Sequence, residues 1–283
     1  MSSQQDINIR QFVDSVNSKP EYDTRPPEDL PCVSIVTPTY NRRDYFYIAI
    51  ENFYSQTYPK EKLEWLIIDD GEDCIEDLIP KDDKRITYVR LNKKLVLGDK
   101  RNLLVKTAKH KYIAHMDDDD IHFPDSVENR IRFLLAKKKD NINCIGSQDM
   151  VMYFVKLYKF RYLNCPAVHQ IHEGTMAYSK KYWKSKGFKK TKDVGEGADF
   201  LFNKEHQTCH FTCAKIMIML AHCQNTFNKD LFLDLPDVDK NMIKFDEKIM
   251  KRMKDIRVNE IKIIVRTEMK KREEDKKILV NKK

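Results

Sequence analysis

The sequence predicts an α/β fold, with a mostly parallel sheet flanked by helices and a helical tail at the C-terminus. Short segments rich in β-branched residues alternate with helix-type segments over the first half of the chain, which is typical of parallel sheets covered by helices on both faces. Two of these short segments run directly into acidic clusters. Hydrophobic residues make up 41% of the 283 residues, which is enough for a packed core.

Strands and helices can be assigned in order along the first half. Apolar segments bounded by prolines or turn residues predict strands, and these lie at Cys32–Thr37, Leu63–Ile68, Arg85–Arg90 and Tyr112–Met116. Helices are predicted at Asp44–Gln56, where apolar residues recur three and four positions apart, and at Lys100–Lys109. From Asn141 to Asn228, short strand-like pieces and turns form a mixed pattern.

The chain divides into three parts. Residues 1–30 form a polar lead-in that ends in several prolines, residues 31–229 the main domain, and residues 230–283 a basic tail. The tail is predicted to be helical, with an apolar stripe at Met242, Phe245, Ile249, Met253 and Ile256. From residue 240 on it carries 16 Lys or Arg against 8 Asp or Glu, which equals the net charge of +8 of the whole chain. The remainder is balanced in charge, which argues against a nucleic-acid binder.

Composition and motifs argue against several classes of protein. The longest apolar run, Ile216–Ala221, has six residues, whereas a membrane span needs about 20. Seven cysteines without regular spacing fit a reducing compartment better than a disulfide framework, and the N-terminal segment lacks a signal-peptide pattern. We therefore expect a cytoplasmic protein. Neither a P-loop nor a Gly-x-Gly-x-x-Gly turn occurs, so kinase, P-loop and dinucleotide-binding functions lack their phosphate-binding loop.

The two acidic clusters come directly after predicted strands. Asp69 and Asp70 follow the second strand, and Asp117–Asp120 follow the fourth. Ligands of such sheets bind outside the carboxyl ends of the strands, and carboxylate oxygens can hold Mg²⁺ or Mn²⁺ beside the phosphates of a nucleotide. The run of four aspartates therefore predicts a metal site, with a solvated acidic loop as the alternative. For Asp69 and Asp70 the alternative is that they cap the following turn.

In its two acidic clusters and their spacing, the chain resembles a family 2 glycosyltransferase with the GT-A fold. The resemblance extends from Val33 to Asp125 and more loosely to Asn228. Four pieces in family-like order and spacing support it: Val33–Arg42, Gln56–Pro59 followed by Glu64–Gly71, Gly98–Asn102, and Tyr112–Pro124. It implies that residues 31–125 form the nucleotide-sugar-binding half of the domain and residues 126–229 the acceptor half.

The resemblance also implies a set of donor and metal ligands. The side chains that would contact the UDP-sugar are Thr37, Tyr40, Asp69, Asp70, Arg101, Asp117 and Asp118. The Asp-x-Asp-Asp motif places Asp117 and Asp119 at a Mn²⁺ or Mg²⁺ ion, with Asp119 as the direct ligand. His222, in a strand-end His-x-x-Asn-Thr motif, would complete the metal shell. The alternative for His222 is a hydrogen-bonded structural histidine.

Members of the family usually invert the sugar, with a carboxylate accepting the proton of the acceptor hydroxyl. That base normally belongs to an acidic pair, which matches the stretch Val194–Phe200, but the second position of the pair is Gly197 here. Glu196 and Asp199 are both candidates, and Glu196 is favoured. The alternative for Glu196 is that it only begins a helix and interacts with its dipole.

The resemblance thus implies a metal-dependent, inverting glycosyltransferase that moves one sugar from a UDP-sugar to an acceptor hydroxyl on a glycan, a lipid-linked glycan or a protein. One alternative is a degenerate nucleotide-sugar-binding scaffold, which only Gly197 supports. A sugar nucleotidyltransferase is a second, but Pro38–Arg43 replaces its glycine-rich loop. A zinc site near Cys209 and Cys213 is a third. The basic tail suggests peripheral contact with an anionic membrane or a partner, and no nucleic acid is expected.

Overall fold

The structure is a computed structural model that describes residues 4–165, 167–189, 195–238 and 245–281. The strands of these ranges are β1 (Val33–Thr39), β2 (Leu63–Asp69), β3 (Ile86–Arg90), β4 (Tyr112–His115), β5 (Ile121–His122), β6 (Cys144–Gly146), β7 (Asp149–Phe154), β8 (Lys159–Asn164), β9 (Ala177–Ser179), β10 (Thr208–His210) and β11 (Met217–Ala221). The α-helices are α1 (Gln4–Asn17), α2 (Phe46–Ser55), α3 (Leu97–Thr107), α4 (Ser126–Ala136), α5 (Lys180–Ser185), α6 (Glu196–Leu201) and α7 (Glu247–Asn281).

The main sheet has the strand order β10-β6-β9-β4-β1-β2-β3. Strand β1 lies between β2 and β4 and is parallel to both, and β3 is parallel to β2. Strand β9 runs antiparallel to β4 and to β6. The sheet is therefore mixed, and the carboxyl ends of β1, β2 and β4 meet at one edge. A smaller sheet has the order β5-β11-β7-β8.

The α/β fold class predicted from the sequence is confirmed. The four strands predicted in the first half correspond to β1–β4, and the two predicted helices correspond to α2 and α3. All residues of β1 and β2 are buried, as expected for central strands with helices on both faces. Trp65 of β2 stacks against two rings of α2, with centroid distances of 5.9 Å to Phe46 and 5.0 Å to Phe53.

The lead-in and the second half contain helices that the sequence analysis does not predict. Helix α1 lies within residues 1–30, and Ser15 near its end donates a hydrogen bond to Asp149 Oδ2 at 2.6 Å. Helix α4 follows the aspartate run, and its Arg132 donates to the backbone oxygens of Asp23 and Arg25 at 2.9 and 2.7 Å. The lead-in is thereby held against the main domain by hydrogen bonds from residues far along the chain.

The tail forms one long helix, α7, that packs on the main domain. Its buried face includes Ile249, Met253 and Ile256, which belong to the predicted apolar stripe. Phe245 precedes the helix and packs against Phe160 at a centroid distance of 5.6 Å, whereas Met242 lies outside the described residues. Among the residues that the structure describes, no helix combines the length and the apolar character that crossing a membrane requires.

Candidate active site

Two adjoining cavities open at the sheet edge where β1, β2 and β4 end. The first, of about 250 Å³, is called the aspartate cleft because it is lined by Asp117–Asp120, together with Thr39, Tyr40, Arg42, Lys100, Arg101, Asn225 and Lys229. The second, of about 420 Å³, is called the glutamate cavity because Glu173 and Glu196 line it. Tyr40, Lys100, Arg101 and Lys229 line both. The two cavities therefore form one continuous candidate site.

Asp69 at the end of β2 is buried and fully hydrogen-bonded. Its carboxylate accepts the N–H groups of Gly71 and Ile75 at 2.9 and 3.2 Å and the hydroxyl of Tyr88 at 2.8 Å. Arg90 Nη1 lies 3.1 Å from Oδ1. This is the turn-capping arrangement that the sequence analysis gives as the alternative. Asp69 does not line either cavity, and its contact with a donor stays a prediction.

Asp70 is also neutralised within the protein. It accepts the N–H of Leu95 at 2.8 Å and forms a buried ion pair with Lys100. Lys100 also donates to the backbone oxygen of Thr39 at 3.0 Å, and burial lowers the pKa of this lysine. Lys100 lines both cavities, whereas Asp70 lines neither and holds Lys100 in place.

The predicted donor ligands on β1 are divided between sheet and cavity. Thr37 is buried in the sheet, where its hydroxyl donates to Met116 O at 2.6 Å and accepts from Trp65 Nε1 at 2.8 Å. It does not reach the aspartate cleft, whereas Thr39, two residues on, lines it and has a buried Oγ1 without a hydrogen-bond partner among the described residues. Tyr40 lines both cavities, with the Lys94 ammonium 4.1 Å from its ring centroid.

The four consecutive aspartates have four different environments. Asp117 is 25% exposed in its side chain and lies 3.3 Å from Arg101 Nη1. Asp118 is 6% exposed, and its Oδ2 has no hydrogen-bond partner within the described ranges. Burial, and secondarily the charge of Asp119, raises the pKa of Asp118 to about 7. Asp120 accepts Leu220 N–H at 2.8 Å, and burial raises its pKa to about 8. One oxygen of this cleft residue is thus bound by the backbone of β11.

Asp119 joins the cleft to His222 and Arg42. Its Oδ2 lies 3.0 Å from His222 Nε2 and accepts Arg42 Nε at 3.1 Å. Burial opposes ionisation, but the hydrogen bond of His222 and the charge of Arg42 hold the pKa of Asp119 below its usual range. Arg42 was not predicted as a site residue, although it belongs to the Val33–Arg42 motif. Its guanidinium also reaches Thr226 at 2.9 Å.

His222 is held by its neighbours with Nε2 directed at Asp119. Its Nδ1 accepts the N–H of Gln224 at 3.2 Å, and its ring lies 3.9 Å from that of Tyr45, measured between centroids. Burial lowers the pKa of His222, so the ring is neutral near pH 7. The Tyr45 hydroxyl donates to Glu260 of α7, and Glu260 also accepts Cys223 N–H at 3.0 Å. Helix α7 therefore braces the histidine that contacts Asp119, although His222 itself does not line the cleft.

The donor set at this end is chemically suited to a divalent cation. Carboxylate oxygens suit Mn²⁺ or Mg²⁺ and a neutral imidazole is a common metal ligand, and the charge of the buried Asp118 carboxylate is costly unless a cation compensates it. No group of three or more His, Cys, Asp or Glu side chains is preassembled for a metal within the described ranges, and metal binding stays a prediction. For the zinc alternative, Cys213 is buried with a pKa raised well above its usual value, which disfavours a thiolate ligand.

Arg101 joins the two cavities. Its guanidinium is fully buried and lies 3.3 Å from Asp117 through Nη1 and 3.0 Å from Glu196 through Nε. Nη1 also lies 3.0 Å from His115 Nδ1. Since an arginine can only donate hydrogen bonds, Nη1 is the donor and Nδ1 the acceptor. The other ring nitrogen of His115 therefore carries the proton and donates to Tyr178 at 2.8 Å. One arginine thus neutralises a carboxylate in each cavity.

The two candidate bases lie in different environments. Glu196 begins α6 after Gly195, which has a φ of +74°, and it lines the glutamate cavity. Burial, and secondarily the charge of Glu173, raises the pKa of Glu196 to about 7. Asp199 follows one turn later, with Oδ2 3.9 Å from Lys189 Nζ, and does not line either cavity. Val194, which starts the matched stretch, lies outside the described residues.

Glu173 is a site residue that the sequence analysis missed. It directly precedes Gly174, and its Oε1 accepts the N–H of Gly197 at 2.9 Å. A Cβ on Gly174 would lie 2.8 Å from Asp117 Oδ2, so the turn passes close to the aspartate run as well. None of the motifs described in the sequence includes Glu173.

Comparison with known proteins assigns the family. A family model described as "Glycosyl transferase family 2" matches residues 34–206, more than half of the chain. The chain belongs to glycosyl transferase family 2. The resemblance found in the sequence is thereby confirmed. The matched range of this family 2 protein begins in β1 and ends before β10, so it includes Asp117–Asp120 and Glu196 but not His222.

Curated relatives match part of the chain. An uncharacterized glycosyltransferase of Rickettsia felis is 42% identical over 105 residues, which is 36% of this chain and 17% of the relative. The protein named UDP-Glc:alpha-D-GlcNAc-diphosphoundecaprenol beta-1,3-glucosyltransferase WfaP, from Escherichia coli, is 36% identical over 108 residues, which is 38% of this chain and 42% of the relative. The chain thus spans less than half the length of these relatives.

Solved structures show the fold. Staphylococcus aureus TarS in complex with UDP superimposes with a TM-score of 0.53 at 16% identity and covers 68% of this chain and 61% of that one. The mannosyltransferase PcManGT from Pyrobaculum calidifontis, in complex with GDP-Man and Mn²⁺, has a TM-score of 0.52 at 17% identity and covers 73% and 63%. The family 2 domain described here has the GT-A fold, as the sequence predicts.

Proposed function

We propose that the protein is a metal-dependent, inverting glycosyltransferase that moves one sugar from a UDP-sugar to an acceptor hydroxyl. The observation that carries this proposal is the placement of Arg101 between Asp117 in the aspartate cleft and Glu196 in the glutamate cavity. The proposed diphosphate-binding end and the proposed proton-accepting end would thereby adjoin one buried arginine. Donor and acceptor could then be held close together in one orientation, which lowers the barrier to displacement.

The aspartate cleft would bind the diphosphate of the donor. Asp117, Asp119 and His222 would hold the cation, and Asp118 would contribute the charge of its carboxylate. A bound Mn²⁺ or Mg²⁺ supplies charge stabilisation to the departing diphosphate. Lys100 and Arg101 line the same cleft, and their positive charge favours a phosphate-bearing ligand. Tyr40, on the wall shared by both cavities, would contact the nucleoside.

The glutamate cavity would bind the acceptor, with Glu196 as the base. The acceptor oxygen attacks the anomeric carbon, the bond from that carbon to the diphosphate oxygen breaks, and the bonding electron pair leaves with UDP. The hydroxyl proton passes to the Glu196 carboxylate. A buried carboxyl with a pKa of about 7 is well matched to accept a proton near neutral pH. Asp199 lies outside the cavity and is the weaker candidate.

The names of similar proteins support a nucleotide-sugar donor. TarS structures contain UDP or UDP-GlcNAc, PcManGT contains GDP-Man with Mn²⁺, and WfaP is named for UDP-Glc. Two of these three proteins take uridine nucleotides, which favours a UDP-sugar here. The name of WfaP also includes a diphosphoundecaprenol-linked acceptor, which favours a lipid-linked glycan as the acceptor.

A lipid-linked acceptor would place the enzyme at a membrane surface, and α7 offers a suitable face. Its exposed apolar side chains are Val258, Ile261, Val265 and Met269, and basic residues Lys262, Arg266 and Lys270 adjoin them. Such a face fits peripheral contact with an anionic membrane from the cytoplasmic side. Co-sedimentation with anionic but not with zwitterionic vesicles is expected, and equal recovery with both would oppose the contact.

The scaffold alternative loses its support in the structure. Its only sequence argument is Gly197 in place of an acidic residue, but the Glu173 carboxylate occupies the space beside Gly197. Two carboxyl groups are therefore present in the cavity.

Thermal unfolding with UDP, GDP, CMP and ADP, each with and without Mn²⁺, tests the proposed function. A ligand present at 100 times its dissociation constant adds about 2.7 kcal/mol to the free energy of unfolding. We expect stabilisation by UDP that depends on Mn²⁺ and exceeds that by CMP and ADP. The absence of a shift with every nucleotide would overturn the donor site. A shift with GDP alone would retain the site and replace the donor class.

A further inference from the structure

The glycine at position 197 has no conformational reason to be a glycine. It lies in the first turn of α6, and a positive φ is found at Gly195 but not at Gly197. An ordinary residue would be compatible with this backbone and would favour the helix. The reason for glycine must therefore be the space around it.

That space is filled by the side chain of Glu173. A Cβ on residue 197 would lie 2.6 Å from both Cδ and Cγ of Glu173 and closer still to its Oε1, which no real contact allows. The same carboxylate accepts the Gly197 N–H at 2.9 Å. A side chain at position 197 would therefore require the Glu173 carboxylate to move from this position.

The turn that carries Glu173 is held in place on both sides. Thr175 N–H and Met176 N–H donate to the backbone oxygens of His172 and Glu173, both at 3.1 Å. Thr175 Oγ1 accepts Ser147 N–H at 2.8 Å, and the absence of a Cβ on Gly174 lets the turn approach Asp117. The position of Glu173 is thus set by the fold.

We propose that Glu173 supplies the second carboxylate of the acidic pair in place of a side chain at residue 197, and that it is a positioning residue for the base Glu196. This inference rests on the proposed function. Glu173 and Glu196 line the same cavity and share the field of Arg101. The negative charge of Glu173 opposes ionisation of Glu196, and the bond from Gly197 N–H keeps that charge beside it.

The charge balance around Glu196 determines the expected pH dependence. The charged and titratable groups that face it are Arg101 from α3, His172 and Glu173 from the turn, and Lys94, Lys100 and Lys229 across the cavity. Arg101 lowers its pKa, whereas burial and Glu173 raise it to about 7. A base must be ionised to act, so turnover should rise with pH through about 7.

Glu173→Gln tests the role of the charge while it keeps an oxygen that can accept Gly197 N–H. UDP release from a UDP-sugar, with Mn²⁺ saturating, is measured as kcat/KM against pH. We expect the acid limb of Glu173→Gln to move to lower pH by about one unit, because a like charge has been removed. Glu205→Gln, which changes an exposed carboxylate in the short helical turn after α6, is the matched control and should keep the wild-type profile. An unchanged limb in Glu173→Gln would overturn the inference.

A second experiment tests whether a carboxylate at residue 197 can replace the one at residue 173. Glu173→Ala should lower kcat/KM on the order of tenfold, a part of what general-base catalysis contributes. Gly197→Asp should also lower it, because its Cβ displaces the Glu173 carboxylate. The double variant Glu173→Ala/Gly197→Asp should exceed both single variants, since the vacated space accepts the new carboxylate. A double variant no better than the worse single one would overturn the inference.

The two hypotheses fail in different ways. If the wild-type protein releases no UDP from any UDP-sugar and binds no nucleotide, the proposed function fails and the role of Glu173 fails with it. If the wild-type protein turns over and the Glu173→Gln profile matches it, only the role of Glu173 fails.

Discussion

The carboxylates at the end of β2 and those that contact Arg101 differ in how many hydrogen-bond donors and positive charges surround each of them. Asp69 accepts two backbone N–H groups and a tyrosine hydroxyl, and Asp70 has a lysine to itself. By contrast, Asp117 and Glu196 share one arginine. Asp118 has a buried oxygen without a partner among the described residues.

This difference separates carboxylates that build the fold from carboxylates that are available to a ligand. A buried carboxylate saturated by donors stabilises the turn that it caps. A carboxylate that shares one arginine with a second carboxylate can still accept further hydrogen bonds. A bound cation or a proton would offset the negative charge that the arginine leaves uncompensated. Position at the end of a strand does not distinguish the two kinds, because Asp69 and Asp117 both follow parallel strands.

Loss of a carboxylate from the aspartate cleft should have the largest effect on turnover. Asp119→Ala is expected to reduce UDP release at least about a hundredfold, because charge stabilisation by the cation is worth several kcal/mol. The fold should persist, since Arg42 also bonds Thr226. Initial rates with and without Mn²⁺, together with urea unfolding, check both statements. Undiminished wild-type activity in excess chelator would remove the cation from the mechanism.

Replacing the candidate base should have the next largest effect and should separate chemistry from binding. Glu196→Gln is expected to lower kcat by about 10²–10³-fold, within the range of general-base catalysis, and to leave UDP binding within a few-fold of wild type. Asp199→Asn, one turn further on, should change kcat little. The opposite ranking of the two variants would make Asp199 the base.

Asp69→Asn should act mainly on stability, which would distinguish Asp69 from the carboxylates that are available to a ligand. An amide offers one acceptor oxygen, so one of the N–H groups of Gly71 and Ile75 would lose its partner, at a cost of about 1–3 kcal/mol in the free energy of unfolding. Urea unfolding measures this loss, and Mn²⁺-dependent UDP affinity measured alongside should fall less. A tenfold loss of affinity without a loss of stability would show that Asp69 is a donor ligand after all.

The first half of the fold was predictable because its signals are local. Strands β1–β4 are short apolar segments between turn residues, and their helices repeat apolar residues at helical spacing. In the second half, β9 has three residues and runs antiparallel between β4 and β6. Segments this short have no periodicity to read, and their pairing depends on strands far away in the sequence.

The candidate site was predictable to the extent that motifs mark it. Asp117, Asp119, His222 and Glu196 were all assigned from the sequence. The three carboxylates line the two cavities, and His222 contacts Asp119 without lining either cavity. Thr37 was assigned with them, but the pleat of β1 and the indole of Trp65 keep its hydroxyl inside the sheet. Glu173 was missed because no local pattern distinguishes it from a surface glutamate.

The sequence by itself determined the strands of the first half, the strand-end aspartates and the family, because these depend on neighbouring residues in one stretch of chain. Only the tertiary structure decided which carboxylates are compensated and which remain available. The decisive contacts join residues far apart: Glu173 meets Gly197 across 24 positions, and Tyr45 meets Glu260 across 215. Burial and partnership are properties of the assembled fold, and they set the charge of each acidic group.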